Sequence, residues 1–415
     1  MNKIIFKVNL NKILEFLIAL LIVLIIFSTN NILMAYTKHL SILTTSLIVL
    51  KYFLSQRNTL LKLNILNSLF IFFLALILLN YFYASNFDNV SNYLIYLFLG
   101  LFIIFFQRNQ IFYDYFIKVF KTVFFLFITS MFIEAFFPEL FHLLFSFLSF
   151  GDASIREITS EGAIAGLAFE KAYAAFLCNL GFGFYLARFI LLNEKWKDGL
   201  FLVIILSALM MTGKRTLFII PITTILIFVM LFSKNNKITK LASVLLIMSL
   251  IIIAVYVFVP SASLIIDRII NHEGDILSGR ERFWEYAFEM YRQNPWIGRG
   301  FLSFNDFAYN QGFRYYGEVW NYQAHNVYIQ VLGEMGIIGF TTFVALIVST
   351  LIKSMSNAMK YKEIWSLFIF YWAMLFAIYS LTGNTLYYPC QVIVLFLVIH
   401  FIINYTTIRI NSRNA

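Results

Sequence analysis

A chain of 415 residues that is 61% hydrophobic and 13% charged, with a mean hydropathy of +0.82, is excluded from the soluble globular class and reads as a polytopic membrane protein. Its formal charge of +10 would suit nucleic acid only if the basic residues formed one patch; they are spread through short loops, so no nucleic-acid partner is expected. The two cysteines, Cys178 and Cys390, lie in or beside apolar runs and suggest neither a disulfide framework nor a metal cluster.

Apolar runs long enough to cross a bilayer predict about twelve helices, at 13–33, 39–54, 65–84, 90–106, 116–137, 170–191, 199–213, 216–232, 241–260, 327–351, 364–381 and 390–408. The fold class is therefore all-α, a polytopic transmembrane bundle. The first run follows Lys3, Lys7 and Lys12, and the "STNN" after it offers no small-x-small cleavage site, which predicts an uncleaved helix. With the N-terminus in the cytoplasm, loops such as "QRNQ", "LLNEKWKDG", "SKNNKITK" and "KSMSNAMKYKE" carry most of the 31 Lys and Arg, so the positive-inside rule places both termini there. The opposite side receives a medium loop, 138–169, and a long polar one, 261–324. Three regions follow: 1–260 with nine helices and the medium loop, 261–325 as the long loop, and 326–415 with three helices. No internal repeat or pair of matching broken spans marks a transporter.

"MMTGKRTLFIIP" interrupts an otherwise apolar stretch with Lys214 and Arg215. A tight outer turn at Thr212–Gly213 would leave Arg215 near the interface. Two readings stand: a snorkelling pair that anchors the hairpin, or an anion site in which a forked, permanently charged donor meets phosphate oxygens. In the medium loop, "SIREITSEGAIAGLAFEKAYAAFL" sets Arg156, Glu161, Glu170 and Lys171 close to a span entry, for ion pairing or for substrate.

In the long loop, "LSGRERFWEYAFEMYRQNPWIGRGF" has a helical pattern over 279–293. Arg280, Trp284, Ala287, Phe288 and Tyr291 share one face, while Arg282, Arg292 and Arg299 read as solvated or interfacial. Asn294-Pro295 ends that helix and Gly298 and Gly300 allow a sharp return. Next comes "QAHNVYIQVLGEMGIIGF". Asn326 is a good N-cap, and His325 beside a positive helix N-terminus keeps its neutral form favoured, which suits a general base; a structural histidine is the other reading. Glu334 falls about 12 Å down the helix and on the opposite side, so the two form no dyad and Glu334 reads as a buried hydrogen-bonding or ion-pairing residue. His, Cys, Asp and Glu show no metal-ligand spacing and there is no P-loop, GxSxG or GxGxxG, so neither metal nor cofactor is expected.

Taken together, Arg280-x3-Trp284, "NPWIGRGF", "HNVYIQVLGEMGIIGF" and the "TGKRT" turn resemble the O-antigen polymerase and O-antigen ligase superfamily. "GLAFEKAYAAFL" is similar to a loop that many of its polymerases write Gly-Leu-x-x-Glu-Pro-Ser-x-x-Ala, with Lys171 and Ala172 standing in place of Pro-Ser. The resemblance implies a GT-C-like membrane glycosyltransferase of the bacterial inner membrane. It would act at the periplasmic face on undecaprenyl-diphosphate-linked glycans as donor and acceptor, without nucleotide donor or metal. It implies that Arg215 and Arg280 hold the diphosphate, with Arg156, Lys214, Asn326, Trp284 and Glu170 as further substrate-binding candidates, and that His325 acts on the acceptor hydroxyl. A chain-length regulator is a candidate protein partner. Polymerase is the first expectation, ligase the second, and a transporter of the same lipid-linked glycans the third.

Overall fold

A computed structural model describes residues 2–29, 31–55, 64–82, 87–105, 110–145, 163–168, 170–191, 195–232, 249–250, 253, 256–257, 280–312 and 323–405. Its regular elements are helices: α1 (Asn2–Ile26), α2 (Asn31–Ser55), α3 (Ile65–Tyr81), α4 (Phe87–Phe105), α5 (Gln110–Phe136), α6 (Pro138–Phe145), α7 (Lys171–Leu191), α8 (Lys195–Met211), α9 (Arg215–Phe232), α10 (Arg280–Gln293), α11 (Phe304–Asn310), α12 (Val327–Tyr361), α13 (Ile364–Tyr379) and α14 (Pro389–Ile403). Among these, Ile32–Leu54, Ile111–Phe136, Lys171–Leu191, Arg215–Phe232 and Val327–Tyr361 are long and apolar enough to cross a membrane, and α3, α13, α14 and Val90–Phe105 are shorter apolar helices. Large apolar side chains stay exposed along them, including Phe53, Phe72, Leu126 and Ile219. Water would penalise such faces and lipid does not, so the protein is a membrane protein.

Helix limits depart from expectation where polar residues compete for backbone groups. The first helix stops at Ile26 rather than 33, because the Ser28 hydroxyl donates to the Ile25 carbonyl at 2.6 Å and itself accepts from Thr37. A new helix then starts at Asn31 instead of 39. The expected span 241–260 falls largely outside the described residues.

The chain divides into two compact units, each assembled from distant parts of the sequence. The first contains residues 1–37, 109–273 and 354–375. Its core is aromatic: Phe116, Phe120 and Phe124 stack at i, i+4 spacing along α5, and Trp372 of α13 meets Phe116 and Phe120 edge-on. Helix α7 packs beside this ladder because Gly181 leaves room for the Phe124 ring and Gly183 for Tyr371. Two polar ties set its register. Tyr371 donates to Asn179 Oδ1 at 2.8 Å and Trp372 Nε1 to the Leu180 carbonyl at 3.0 Å.

The second unit contains residues 38–108, 274–353 and 376–415. Here α4 and α14 approach closely because Gly100 accommodates the Phe396 ring, which also packs edge-on against Phe70 of α3. The feature that shapes its site is a break in α12. Gly336 has φ 63° and ψ −167°, which ends one helical segment and starts another within a membrane-length helix, in its first third. Broken backbone in hydrocarbon must find partners. The 295–300 segment supplies them: Ile337 N–H donates to Pro295 O at 2.8 Å, Ile338 N–H to Trp296 O at 3.3 Å, and Gly300 N–H to Glu334 O at 2.8 Å.

Candidate active site

In the second unit, the buried face of α10 carries Ala287 and Met290, with Phe283, Trp284 and Tyr286 partly buried around them, and this face packs on Phe304, Phe307 and Ala308 of α11 and on Ala324. The expected stripe is therefore rotated. Phe288 is 39% exposed, since α11 docks on the 283/287/290 side and leaves 288 facing out. Arg282, Arg292 and Arg299 are exposed, in line with their reading as solvated groups. At the start of the helix Arg280 is half-buried and donates to the Thr382 carbonyl at 3.1 Å. Burial lowers its pKa from the ordinary guanidinium value, with Tyr379 opposing. A partly desolvated cation of this kind is stabilised by an anion.

Four residues after Arg280, Trp284 Nε1 donates to the Ala324 carbonyl at 3.0 Å, tying α10 to the segment that precedes α12. That segment delivers His325. Asn326 caps α12 as the sequence suggests, its Oδ1 accepting from Ile329 N–H at 3.2 Å. His325 itself has φ 52°, a left-handed backbone unusual for a residue with a Cβ and a strain that clusters at functional sites. Its ring lies edge-on to Phe283 at 6.4 Å, and its Nδ1 is 3.3 Å from Asn384 Nδ2. The turn at 380–388 thus holds both groups: Thr382 binds Arg280 and Asn384 contacts His325. Val327 N–H also donates to Ser380 O at 2.8 Å, which fixes this turn against the mouth of α12.

Glu334 fulfils the structural expectation. It is fully buried, and four donors converge on its carboxyl group: Leu302 N–H at 3.0 Å, Phe304 N–H at 3.2 Å, Gln330 Nε2 at 3.1 Å and Tyr387 OH at 2.9 Å. It clamps the loop that connects α10 to α11 onto the broken α12.

In the first unit, the Thr212–Lys214 turn joins α8 to α9. Gly213 has φ 65°, and the Thr212 hydroxyl donates to Leu209 O at 2.7 Å while accepting from Lys214 N–H at 3.3 Å. Arg215 is the first residue of α9 and, like Lys214, is half-exposed. Residues 163–168 lie against this turn, since Ile164 N–H donates to Met211 O at 2.9 Å. They are also pinned to α5: Glu134 Oε2 accepts from Ala165 N–H at 2.9 Å and from Gly166 N–H at 2.5 Å, and Ser130 Oγ accepts from Leu167 N–H at 3.0 Å. Glu170 stands at the entrance of α7, its carbonyl accepting from Ala174 N–H. Arg156 and Glu161 lie outside the described residues.

Glu134 and Asn384 were missed from sequence. Glu134 left a trace, a carboxylate inside an apolar run, which is costly unless satisfied. Replacing it by alanine orphans two buried N–H groups at ~1–3 kcal/mol each. The expected result is a melting midpoint several degrees lower in detergent for Glu134→Ala, with Glu134→Gln, which keeps one acceptor, in between; an unchanged midpoint for Glu134→Ala would contradict the pinning.

In the second unit a partly desolvated arginine and a strained, half-exposed histidine both contact one turn, 380–388, at the mouth of α12; the basic Thr212–Lys214 turn belongs to the first unit. Residues 200–344 match the family model of O-antigen ligase. The matched stretch takes in Lys214, Arg215, Arg280, Trp284, His325, Asn326 and Glu334, and the match supports the likeness to the O-antigen polymerase and ligase superfamily. The 163–170 loop and Asn384 lie outside it. No curated protein matches the chain.

Proposed function

We propose that the protein is an O-antigen polymerase. It would transfer a growing glycan from undecaprenyl diphosphate onto the next lipid-linked repeat unit at the periplasmic face of the bacterial inner membrane, both termini being cytoplasmic. The observation that carries this reading is the tie of Arg280 and His325 to one turn, 380–388, inside and next to an O-antigen ligase domain. In the reaction, the acceptor hydroxyl loses its proton to His325 as its oxygen bonds to the anomeric carbon. The bond from that carbon to the carrier phosphate breaks, and the electron pair leaves with the diphosphate. Such a leaving group needs charge neutralisation, which Arg280 would supply and which the resemblance assigns also to Arg215, with Lys214 and Arg156 as further candidates. Trp284, Asn326 and Glu170 stay what the resemblance makes them, further substrate-binding candidates. A chain-length regulator stays a candidate protein partner.

The matched family's description favours a second reading, an O-antigen ligase that hands the finished glycan to lipid A core. The lipopolysaccharide of a deletion strain separates them: a single repeat unit on core supports polymerase, and bare core with accumulating lipid-linked polymer supports ligase. An unaltered ladder would overturn both. Arg280→Ala is expected to reduce polymer ~10²–10³-fold at equal protein level, with Arg280→Lys retaining part of the activity because it keeps charge and loses the fork. Wild-type ladders from Arg280→Ala would remove the anion role.

A further inference from the structure

We propose that Asn384 is a positioning residue for His325, fixing the imidazole in the tautomer with the proton on Nδ1 so that Nε2 is the basic atom. The inference rests on His325 being the base of the reading above, and goes beyond it by naming the atom that takes the proton and the residue that sets it.

Two observations meet at Asn384. Its side-chain amide faces His325 Nδ1, at 3.3 Å. Its Oδ1 is buried and has no hydrogen-bond partner among the described residues, in a side chain only 4% exposed. With Nδ2 toward the ring, Nδ1 would have to be the lone-pair nitrogen and Nε2 would carry the hydrogen, leaving nothing to accept a proton from an acceptor hydroxyl. That orientation also strands an acceptor, at a cost of ~1–3 kcal/mol. Rotating the amide by half a turn exchanges the two atoms in nearly the same volume. Oδ1 then accepts Nδ1–H and the lone pair moves to Nε2, while Nδ2 takes the buried place that Oδ1 held. The hydrogen bond made by one ring nitrogen decides the proton on the other.

The backbone supports a fixed partner here. Asn384 lies in a turn that is tied on several sides: Ser380 O accepts from Val327 N–H, the Ser380 and Thr385 hydroxyls hydrogen-bond to each other, and Tyr93 OH donates to Leu386 O. Thr382 of the same turn binds Arg280, so the orienter of the base and the anchor of the cation move as one piece. When the imidazole takes the acceptor's proton, Asn384 Oδ1 continues to accept Nδ1–H and supports the imidazolium.

The full-length protein labelled with ¹⁵N-histidine in detergent micelles tests this, with the His325 signals assigned by their loss in His325→Gln. The expected spectrum shows His325 protonated on Nδ1 in wild type and Asn384→Asp, and shifted toward the Nε2-protonated form in Asn384→Ala. In cells, at matched protein level, Asn384→Ala should lose about tenfold or more of its polymer, because a base in the wrong tautomer is ineffective; Asn384→Asp, which keeps the acceptor oxygen, should restore most of it. An Nε2-protonated wild type, or Asn384→Ala with wild-type tautomer and wild-type polymer, overturns the proposal. If His325→Gln is inactive while Asn384→Ala is unaffected, only the positioning role fails. If His325→Gln itself makes normal polymer, the base assignment fails and takes this inference with it.

Discussion

On the proposed reading, His325→Ala is expected to abolish polymer while leaving the protein in the membrane at its normal level. A base in a group-transfer step is worth ~10²–10⁴ in rate, about 3–5 kcal/mol of barrier. Stability should change little by comparison. The ring is half-exposed and makes an edge contact with Phe283, whereas the fold around it is held by groups that the substitution leaves intact: the Asn326 cap, the Trp284 bond to Ala324 and the Val327 bond to Ser380. Alanine must adopt the same left-handed φ of 52°, so the backbone strain persists in the variant. His325→Gly would relieve that strain. It should melt no lower than His325→Ala and be equally inactive, a pair of outcomes that separates chemistry from folding. A normal lipopolysaccharide ladder from either variant removes the base from the mechanism.

Why the histidine could be found and its neighbour could not follows from how each announces itself. A titratable ring before an N-capping asparagine and a long apolar run is local information, contained in "AHNV". Asn384 follows His325 by nearly sixty positions, and its significance is wholly tertiary. "LTGN" between two spans reads as an ordinary turn until the chain brings it to the mouth of α12. The α10 stripe shows the limit of periodicity. Helical spacing grouped Arg280, Trp284 and Phe288, but which arc is buried was set by α11, a short helix with no strong pattern of its own. The helices themselves were legible because apolar length is a direct physical demand of the bilayer. Their ends were less so, since the Ser28 and Thr37 hydroxyls redirected the backbone.

Glu334 illustrates a subtler point. The sequence places a carboxylate deep in a span, which advertises function, and nine residues of helix put it on the wrong side for His325. The fold explains it without chemistry. A helix interrupted at Gly336 exposes carbonyls and N–H groups, and the "NPWIGRGF" segment that satisfies them runs straight into Leu302 and Phe304, whose N–H groups Glu334 takes up. The string that looked like a catalytic signature is, in its second half, a lock between a loop and a broken helix.

Gly336→Ala should therefore prevent accumulation of folded protein. At φ 63° a Cβ costs about 1–2 kcal/mol by itself, and here it would lie 2.4 Å from the Trp296 carbonyl carbon and oxygen, backbone atoms that cannot swing aside. Relief requires the 295–300 segment to lift. That would break the bonds from Ile337 to Pro295, from Ile338 to Trp296 and from Gly300 to Glu334, leaving backbone groups unsatisfied inside a span at several kcal/mol each. The total is comparable to the roughly 5–15 kcal/mol that holds a typical fold together. Gly298→Ala meets the same wall from the other side, since its Cβ would stand 2.2 Å from the Glu334 carbonyl oxygen. Gly312 is the control: its φ of 76° also lies in the left-handed region that favours glycine, but among the described residues nothing lies within 4 Å of its Cβ position. Gly312→Ala should purify as a monodisperse peak with a midpoint lowered by a few degrees, while Gly336→Ala and Gly298→Ala yield aggregate or no protein on size-exclusion chromatography. Equal yields and midpoints for the three would mean that the lock does not hold the helix break.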